Sequence, residues 1–190
     1  MRVFLAGATG VIGARLLPLL VAAGHEVAGM TRTPGKAGQV RALGAEPVVC
    51  DVFDRQQLAR AIAGFRPDCV LHQLTDLPDD LRQLPERTAA NNRIRREGTR
   101  NLLDTAGATP VIAQSVAWAL PGDGGAAVAE HEGAVLDAGG VVVRYGQFYG
   151  PGTYFPTGLP SVPRIHVDAA ARRTLPLLTA PSGVVVLVDG

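Results

Sequence analysis

The chain has 190 residues, 47% of them hydrophobic, enough for one domain with a substantial core. Eighteen Lys and Arg against 17 Asp and Glu leave a net charge of +1, which excludes the basic footprint of a nucleic-acid-binding protein. No uninterrupted apolar run reaches bilayer length, so a soluble cytoplasmic protein without membrane association is expected.

The first stretch, Val3 to Gly13, reads V-F-L-A-G-A-T-G-V-I-G. Apolar residues through Ala6 predict a buried first strand, and Gly7, Gly10 and Gly13 then recur at every third position. Leu16, Leu17, Leu19 and Leu20 mark the helix that follows. Strand, glycine turn and helix in that order make a phosphate site: glycines let the backbone turn sharply and approach a pyrophosphate, and the helix start offers free N–H groups. A purely structural turn would also use glycine, but the position between a strand and a helix favours dinucleotide binding. Arg2 and the apolar run to Ala14 also fit the start of a signal peptide. Arg15 interrupts that run before a cleavage region, and the glycine spacing explains it better.

Gly24 reads as a helix C-cap and His25 to Met30 as a second strand. In nicotinamide-binding proteins an acid at the end of this strand holds the ribose 2′-hydroxyl, whereas an Arg accommodates a 2′-phosphate. Here the strand runs into Thr31-Arg32-Thr33-Pro34 with no acid, so Arg32 favours NADP over NAD. Lys36 to Leu43 predicts a short helix, and Pro47 to Val52 a third strand ending in Asp51, which either meets the adenine or caps the helix Arg55 to Ala63.

Asp68 to Leu74 is the fourth strand, in which His72 reads as a hydrogen-bonded core residue. Cys50 and Cys69 fall in apolar strand-like runs and read as buried thiols. The four His are scattered, without metal-ligand spacing. Leu77 to Pro85 is expected as a polar loop, followed by a helix from Ala89 to Ala106 whose Arg cluster faces solvent, with Arg95 as the member able to point inward. Val111 to Val116 is a fifth strand carrying Ser115, without the G-x-S-x-G pattern of a hydrolase. Pro121 to Gly125 reads as a loop, Ala126 to Asp137 as a helix, and Val141 to Tyr145 as a sixth strand. An irregular proline-containing connection, a last helix within His166 to Leu178 and a strand from Val184 to Val188 complete the chain. This alternation predicts a single α/β domain over residues 1–190, a doubly wound parallel sheet of the Rossmann type.

The chain resembles the NAD(P)-dependent epimerase/dehydratase family, the extended branch of the short-chain dehydrogenase/reductase superfamily. The resemblance rests on the G-x-x-G-x-x-G turn, V-L-H-Q-L-T after the fourth strand begins, E-G-T-R-N-L-L-D, V-V-R-Y-G-Q-F-Y-G-P-G and H-V-D-A-A-A, in the family's order. It implies that Gly7, Thr9, Gly10, Val11, Ile12 and Gly13 hold the pyrophosphate, Arg32 the adenosine phosphate, Asp51 and Val52 the adenine, and that Leu74 and Thr75 flank the cofactor ribose. It makes Ser115 the catalytic serine, sets Tyr145 against the nicotinamide and gives Gln147 a substrate-facing place.

The family's proton transfer uses a Tyr-x-x-x-Lys pair on one helix, the Tyr hydroxyl as acid or base and the Lys lowering its pKa. The corresponding helix, Ala126 to Asp137, holds neither residue, and Lys36 is the chain's only lysine. Arg95 replaces the Asn of the family's proton relay, and the stretch corresponding to its substrate region, from Gly152 onward, is short. The expectation is therefore an atypical NADP-dependent oxidoreductase acting on a small carbonyl or sugar-like metabolite. Tyr149, Tyr145, Ser115, His131 or a water would be its proton donor, Tyr149 foremost. The alternative is an NADP(H)-binding protein without redox chemistry. The resemblance also makes helices Ala89 to Ala106 and Ala126 to Asp137 the candidate faces of a homodimer.

Overall fold

A computed structural model describes residues 1–78 and 80–190; Asp79, within the expected loop before the long helix, lies outside them. β1 (Arg2–Ala6) leads through the glycine turn into α1 (Gly13–Ala22) and β2 (Glu26–Thr31). A 3-10 turn (Pro34–Lys36), α2 (Ala37–Ala42), β3 (Glu46–Val49), α3 (Arg55–Phe65) and β4 (Cys69–His72) follow. After the connection come α4 (Leu84–Arg93), a π-helical turn (Ile94–Gly98) and α5 (Thr99–Ala106), then β5 (Val111–Val116), α6 (Gly122–Asp137) and β6 (Val141–Tyr145). The last part holds β7 (Gln147–Tyr149), β8 (Arg164–His166), α7 (Val167–Thr174), a 3-10 stretch (Leu175–Thr179) and β9 (Gly183–Leu187).

The main sheet has seven strands, all parallel, in the order β3-β2-β1-β4-β5-β6-β9. The chain winds outward from β1 in one direction and from β4 in the other, so the topological switch lies between β1 and β4, where doubly wound sheets bind ligands. Period-two alternation supplies two cores from one strand. Val3 and Leu5 of β1 pack with Leu16, Leu17 and Ile165 on the α1/α7 face. Phe4 and Ala6 pack with Met30, Leu58 and Leu102 on the α3/α5 face. Each fully buried leucine or phenylalanine contributes about 1.5–3 kcal/mol relative to exposure. Among the described residues no helix is long and apolar enough to cross a membrane.

Several element boundaries differ from those expected. The long helix begins at Leu84, with Pro85 in its first turn, where a missing N–H costs nothing. α6 begins at Gly122: a Cβ on Gly125 would lie 2.3 Å from the Leu120 carbonyl oxygen, so its glycines serve a close approach. Asp54, not Asp51, caps α3 by accepting from the Gln57 N–H, while Asp51 accepts from the Phe53 N–H. The stretch expected as irregular between β6 and α7 holds a small second sheet, β7 paired with β8.

Candidate functional site

The glycine turn stands at the carboxyl end of β1, between the ends of β2 and β4, and its three glycines have different reasons. Gly7 has φ +91°, and a Cβ there would lie 2.6 Å from the Gln73 carbonyl oxygen. A Cβ on Gly13 would lie 2.0 Å from the Gly7 oxygen. Both are required by the chain's own packing. Gly10 is exposed, and a Cβ there would meet only the Gly7 oxygen at an ordinary 3.4 Å. The chain's own packing thus leaves room for a Cβ at that position. The backbone N–H groups of Val11 and Ile12 find no backbone acceptor among the described residues and stand at the start of α1. An open glycine with unpaired N–H groups at a helix N-terminus fits the pyrophosphate of a dinucleotide.

Around this turn, Thr9 Oγ1 lies 3.1 Å from Thr31 Oγ1, pinning the turn to the end of β2. Arg32 follows directly, exposed, and donates to Asp76 Oδ1 at 2.6 Å. Asp51 is exposed, and Val52 is buried in the α3/α5 core with its carbonyl accepting from Asn101. Leu74 is half-buried and Thr75 exposed beyond β4, where the Leu74 carbonyl accepts from the Gln114 amide at 3.1 Å. Arg15 on α1 donates to Asp168, to the Val11 carbonyl and to the Pro151 carbonyl, tying the glycine turn to the segment after β7 and to α7.

The expected catalytic residues are dispersed. The Ser115 hydroxyl, at the end of β5, donates to Glu132 Oε1 at 2.5 Å. Glu132 is itself held by Arg144, which donates to Oε1 at 2.9 Å and to Oε2 at 2.5 Å. Burial alone would raise the Glu132 pKa, but the bonds from Arg144 and Ser115 outweigh it and hold the carboxyl below its ordinary value. Sequence reasoning missed Glu132 and Arg144 as partners, because they come from α6 and β6. Tyr145 is 2% exposed, its hydroxyl 2.7 Å from Thr174 Oγ1, and burial pushes it up to about 12. Tyr145 is thus a core residue rather than a proton donor at the crevice. Tyr149 is half-buried, its ring edge-on to His166 at 5.2 Å, and a hydrogen bond with Asp189 raises its pKa. Gln147 donates to the Ser161 carbonyl, so its amide anchors the neighbouring loop.

His72 and His131 form a buried relay. His131 Nε2 lies 2.9 Å from the Gln114 carbonyl and therefore donates, leaving Nδ1 to accept from Thr99 Oγ1 at 2.7 Å. Thr99 then accepts from His72 Nε2 at 3.0 Å, and His72 Nδ1 accepts from the Leu74 N–H. In this arrangement both rings are neutral, and burial lowers both pKa values. An open, mainly apolar cleft of about 440 Å³ lies beside Glu132, lined by Val116, Trp118, Leu120, Val128, Arg144 and Val186 among others.

Sheet order, glycine turn and helix start define a dinucleotide-binding protein of the doubly wound class. The model of the NAD(P)H-binding family matches residues 7–120, and the chain belongs to that family. A curated relative, 3-diazoavenalumate denitrifying reductase from a Streptomyces species, is 39% identical over 180 residues, taking in 80% of this chain and 58% of that protein. Another, the Stigmatella aurantiaca 4-hydroxy-2-methyl-3-oxo-4-farnesyl-3,4-dihydroquinoline-1-oxide ketoreductase, is 39% identical over 64 residues, 34% of this chain and 19% of that one. The chain thus spans little more than half the length of the first of these relatives. Its fold matches the Thermus thermophilus UDP-glucose 4-epimerase complexed with NAD, with a TM-score of 0.81 at 20% identity, over the whole of this chain and 78% of that one.

Proposed function

We propose that this protein is an NADP-dependent reductase that delivers hydride to a small-molecule acceptor needing no proton from the protein, with a diazonium compound as the substrate class. The observation that carries this reading is the contrast between the glycine turn and α6. The glycine turn has an exposed Gly10 beside the free N–H groups of Val11 and Ile12, which supports dinucleotide binding, whereas α6 carries neither Tyr nor Lys from Gly122 to Asp137.

When bound, the nicotinamide supplies a hydride, that is, one proton together with two electrons. Gly10, with the Val11 and Ile12 N–H groups, would hold the pyrophosphate, and Arg32 the adenosine phosphate. A carbonyl that accepts hydride becomes an alkoxide and must also take a proton, which requires a positioned acid. Ser115 has committed its proton to Glu132, and the buried Tyr145 hydroxyl is paired with Thr174. A diazonium carbon that accepts hydride loses dinitrogen and ends as a neutral C–H bond. Charge and atoms balance with no proton consumed. The name of the Streptomyces relative, a denitrifying reductase of a diazo compound, agrees with this chemistry. Trp118 and the apolar lining of the neighbouring cleft suit an aromatic substrate.

The test is incubation of the full chain with NADPH and an arenediazonium salt, following nicotinamide absorbance and arene formation. NADPH deuterated at the transferring position should label the arene at the carbon that lost nitrogen, faster than in the protein-free mixture. No rate above that background, in protein shown to bind NADPH, would overturn the reading. Turnover across a carbonyl panel under the same conditions would replace it with the carbonyl reductase of the expectation above, and Tyr149 would then be the donor to test.

A further inference from the structure

Arg32 directly follows β2, and Asp76 stands just beyond the end of β4. β1 runs between these strands, with Ala6 opposite Met30 on one side and opposite His72 on the other. Since β1 ends in the glycine turn, a contact between Arg32 and Asp76 has to span the ground beside that turn. The contact is made: Arg32 Nη2 donates to Asp76 Oδ1 at 2.6 Å. The two partners are unequally placed, the Asp76 side chain 12% exposed and that of Arg32 53%. Asp76 is held from behind, its N–H donating to Asn91 Oδ1 on α4 at 3.1 Å. Arg32 is fixed at its base, because the Thr33 N–H donates to Thr31 Oγ1, which in turn meets Thr9.

We infer that Asp76 is a specificity-determining residue: its carboxylate engages the guanidinium that a 2′-phosphate would use, and so weakens the preference for NADP over NAD. The inference rests on the reading that Arg32 meets the adenosine phosphate. A phosphate reaching Arg32 must displace Asp76 or accept a second negative charge beside it, and either course costs affinity. The neutral 2′-hydroxyl of NAD meets no such repulsion, and a carboxylate there is an acceptor for it. Asp76 thus contributes, from the segment after the fourth strand, the acid that the end of the second strand lacks. Arg32 read alone predicts a protein strongly selective for NADP; the pair predicts a narrower preference for NADP over NAD.

The experiment is calorimetric titration of the full chain with NADPH and NADH, and with 2′-AMP and 5′-AMP as probes of the phosphate position. It compares the wild type with Asp76→Asn, Asp76→Ser and Arg32→Ala, each first shown to melt near the wild-type temperature. Asp76→Asn and Asp76→Ser should each tighten NADPH and 2′-AMP by about twofold to fivefold, the range of a partly exposed ion pair, without tightening NADH. In an Arg32→Ala background the Asp76 substitutions should do nothing further. Unchanged NADPH-to-NADH ratios in both Asp76 variants, with Arg32→Ala still weakening NADPH, would overturn this inference and leave the Arg32 reading standing. Unchanged NADPH affinity in Arg32→Ala would overturn the Arg32 reading, and this inference with it.

Discussion

The Ser115 hydroxyl donates to Glu132 Oε1 at 2.5 Å, and the same carboxylate is gripped by Arg144. The serine therefore turns only lone pairs toward its surroundings, and its proton is spent inside the sheet-to-helix packing. If the reaction needs no protein-derived proton, Ser115→Ala should keep the rate of arenediazonium reduction within about tenfold of wild type. Loss of a general acid would cost about a hundredfold to ten-thousandfold. Steady-state rates of the two proteins decide between these.

Glu132 is 7% exposed, and removing one partner of a largely buried ion pair leaves a charge without compensation. Arg144→Met should destabilise the fold by about 2–3 kcal/mol, less than a fully buried pair because the Arg144 side chain is 41% exposed. Replacing both, Glu132→Leu with Arg144→Met, should recover most of that loss. The Glu132 pKa is lower folded than unfolded, so its contribution is present above the ordinary glutamate value and is lost as pH falls through the folded one. Urea unfolding of each variant against pH measures both effects.

The relay from His72 through Thr99 to His131 predicts a second acid sensitivity, at higher pH. Both rings are held neutral by burial, so their folded pKa values lie below the unfolded ones. The unfolded chain binds more protons once pH drops below about 6.5, and stability should then fall by up to about 1.4 kcal/mol per pH unit for each histidine. Thr99→Val should cost about 1–3 kcal/mol, because each ring loses its shared partner. Denaturant titrations on both sides of the histidine range test this.

The glycine turn separates folding from binding. Gly13→Ala should compromise folding, since its Cβ would lie 2.0 Å from a backbone oxygen. Gly10→Leu should melt within a few degrees of wild type, because Gly10 is exposed and a Cβ there meets only the Gly7 carbonyl oxygen, at 3.4 Å. It should nevertheless lack the rise in melting temperature expected of the wild type with NADPH by mass action. A Gly10→Leu protein that keeps the NADPH shift would place the pyrophosphate elsewhere.

Cys50 and Cys69 are buried and unpaired, and burial pushes their thiols up to about 11 and about 12. Neither is a ready nucleophile near neutral pH. A thiol reagent at about pH 8 should label neither in the native protein and both after denaturation.

Much of this architecture was legible in the amino-acid order. Strand, glycine turn and helix follow from local periodicity and from glycines at Gly7, Gly10 and Gly13, and the run of alternating elements implies a parallel sheet. The absence of Tyr and Lys from the helix after β5 was equally plain, because it is a matter of composition along one segment. What local sequence carries is what neighbours in the chain impose: backbone freedom, helical and strand periods, and the residues missing from a span.

Tertiary structure decided the partners. Nothing near Ser115 in the chain announces Glu132, nothing near Arg32 announces Asp76, and only the burial of Tyr145 against Thr174 removes it from the crevice. The three glycines looked alike as letters, yet two answer to the chain's own packing, whereas Gly10 is exposed and has room for a Cβ. A side chain's chemistry depends on which charges and dipoles it faces. Those come from strands brought side by side by the winding of the sheet, at separations in sequence that local pattern does not encode.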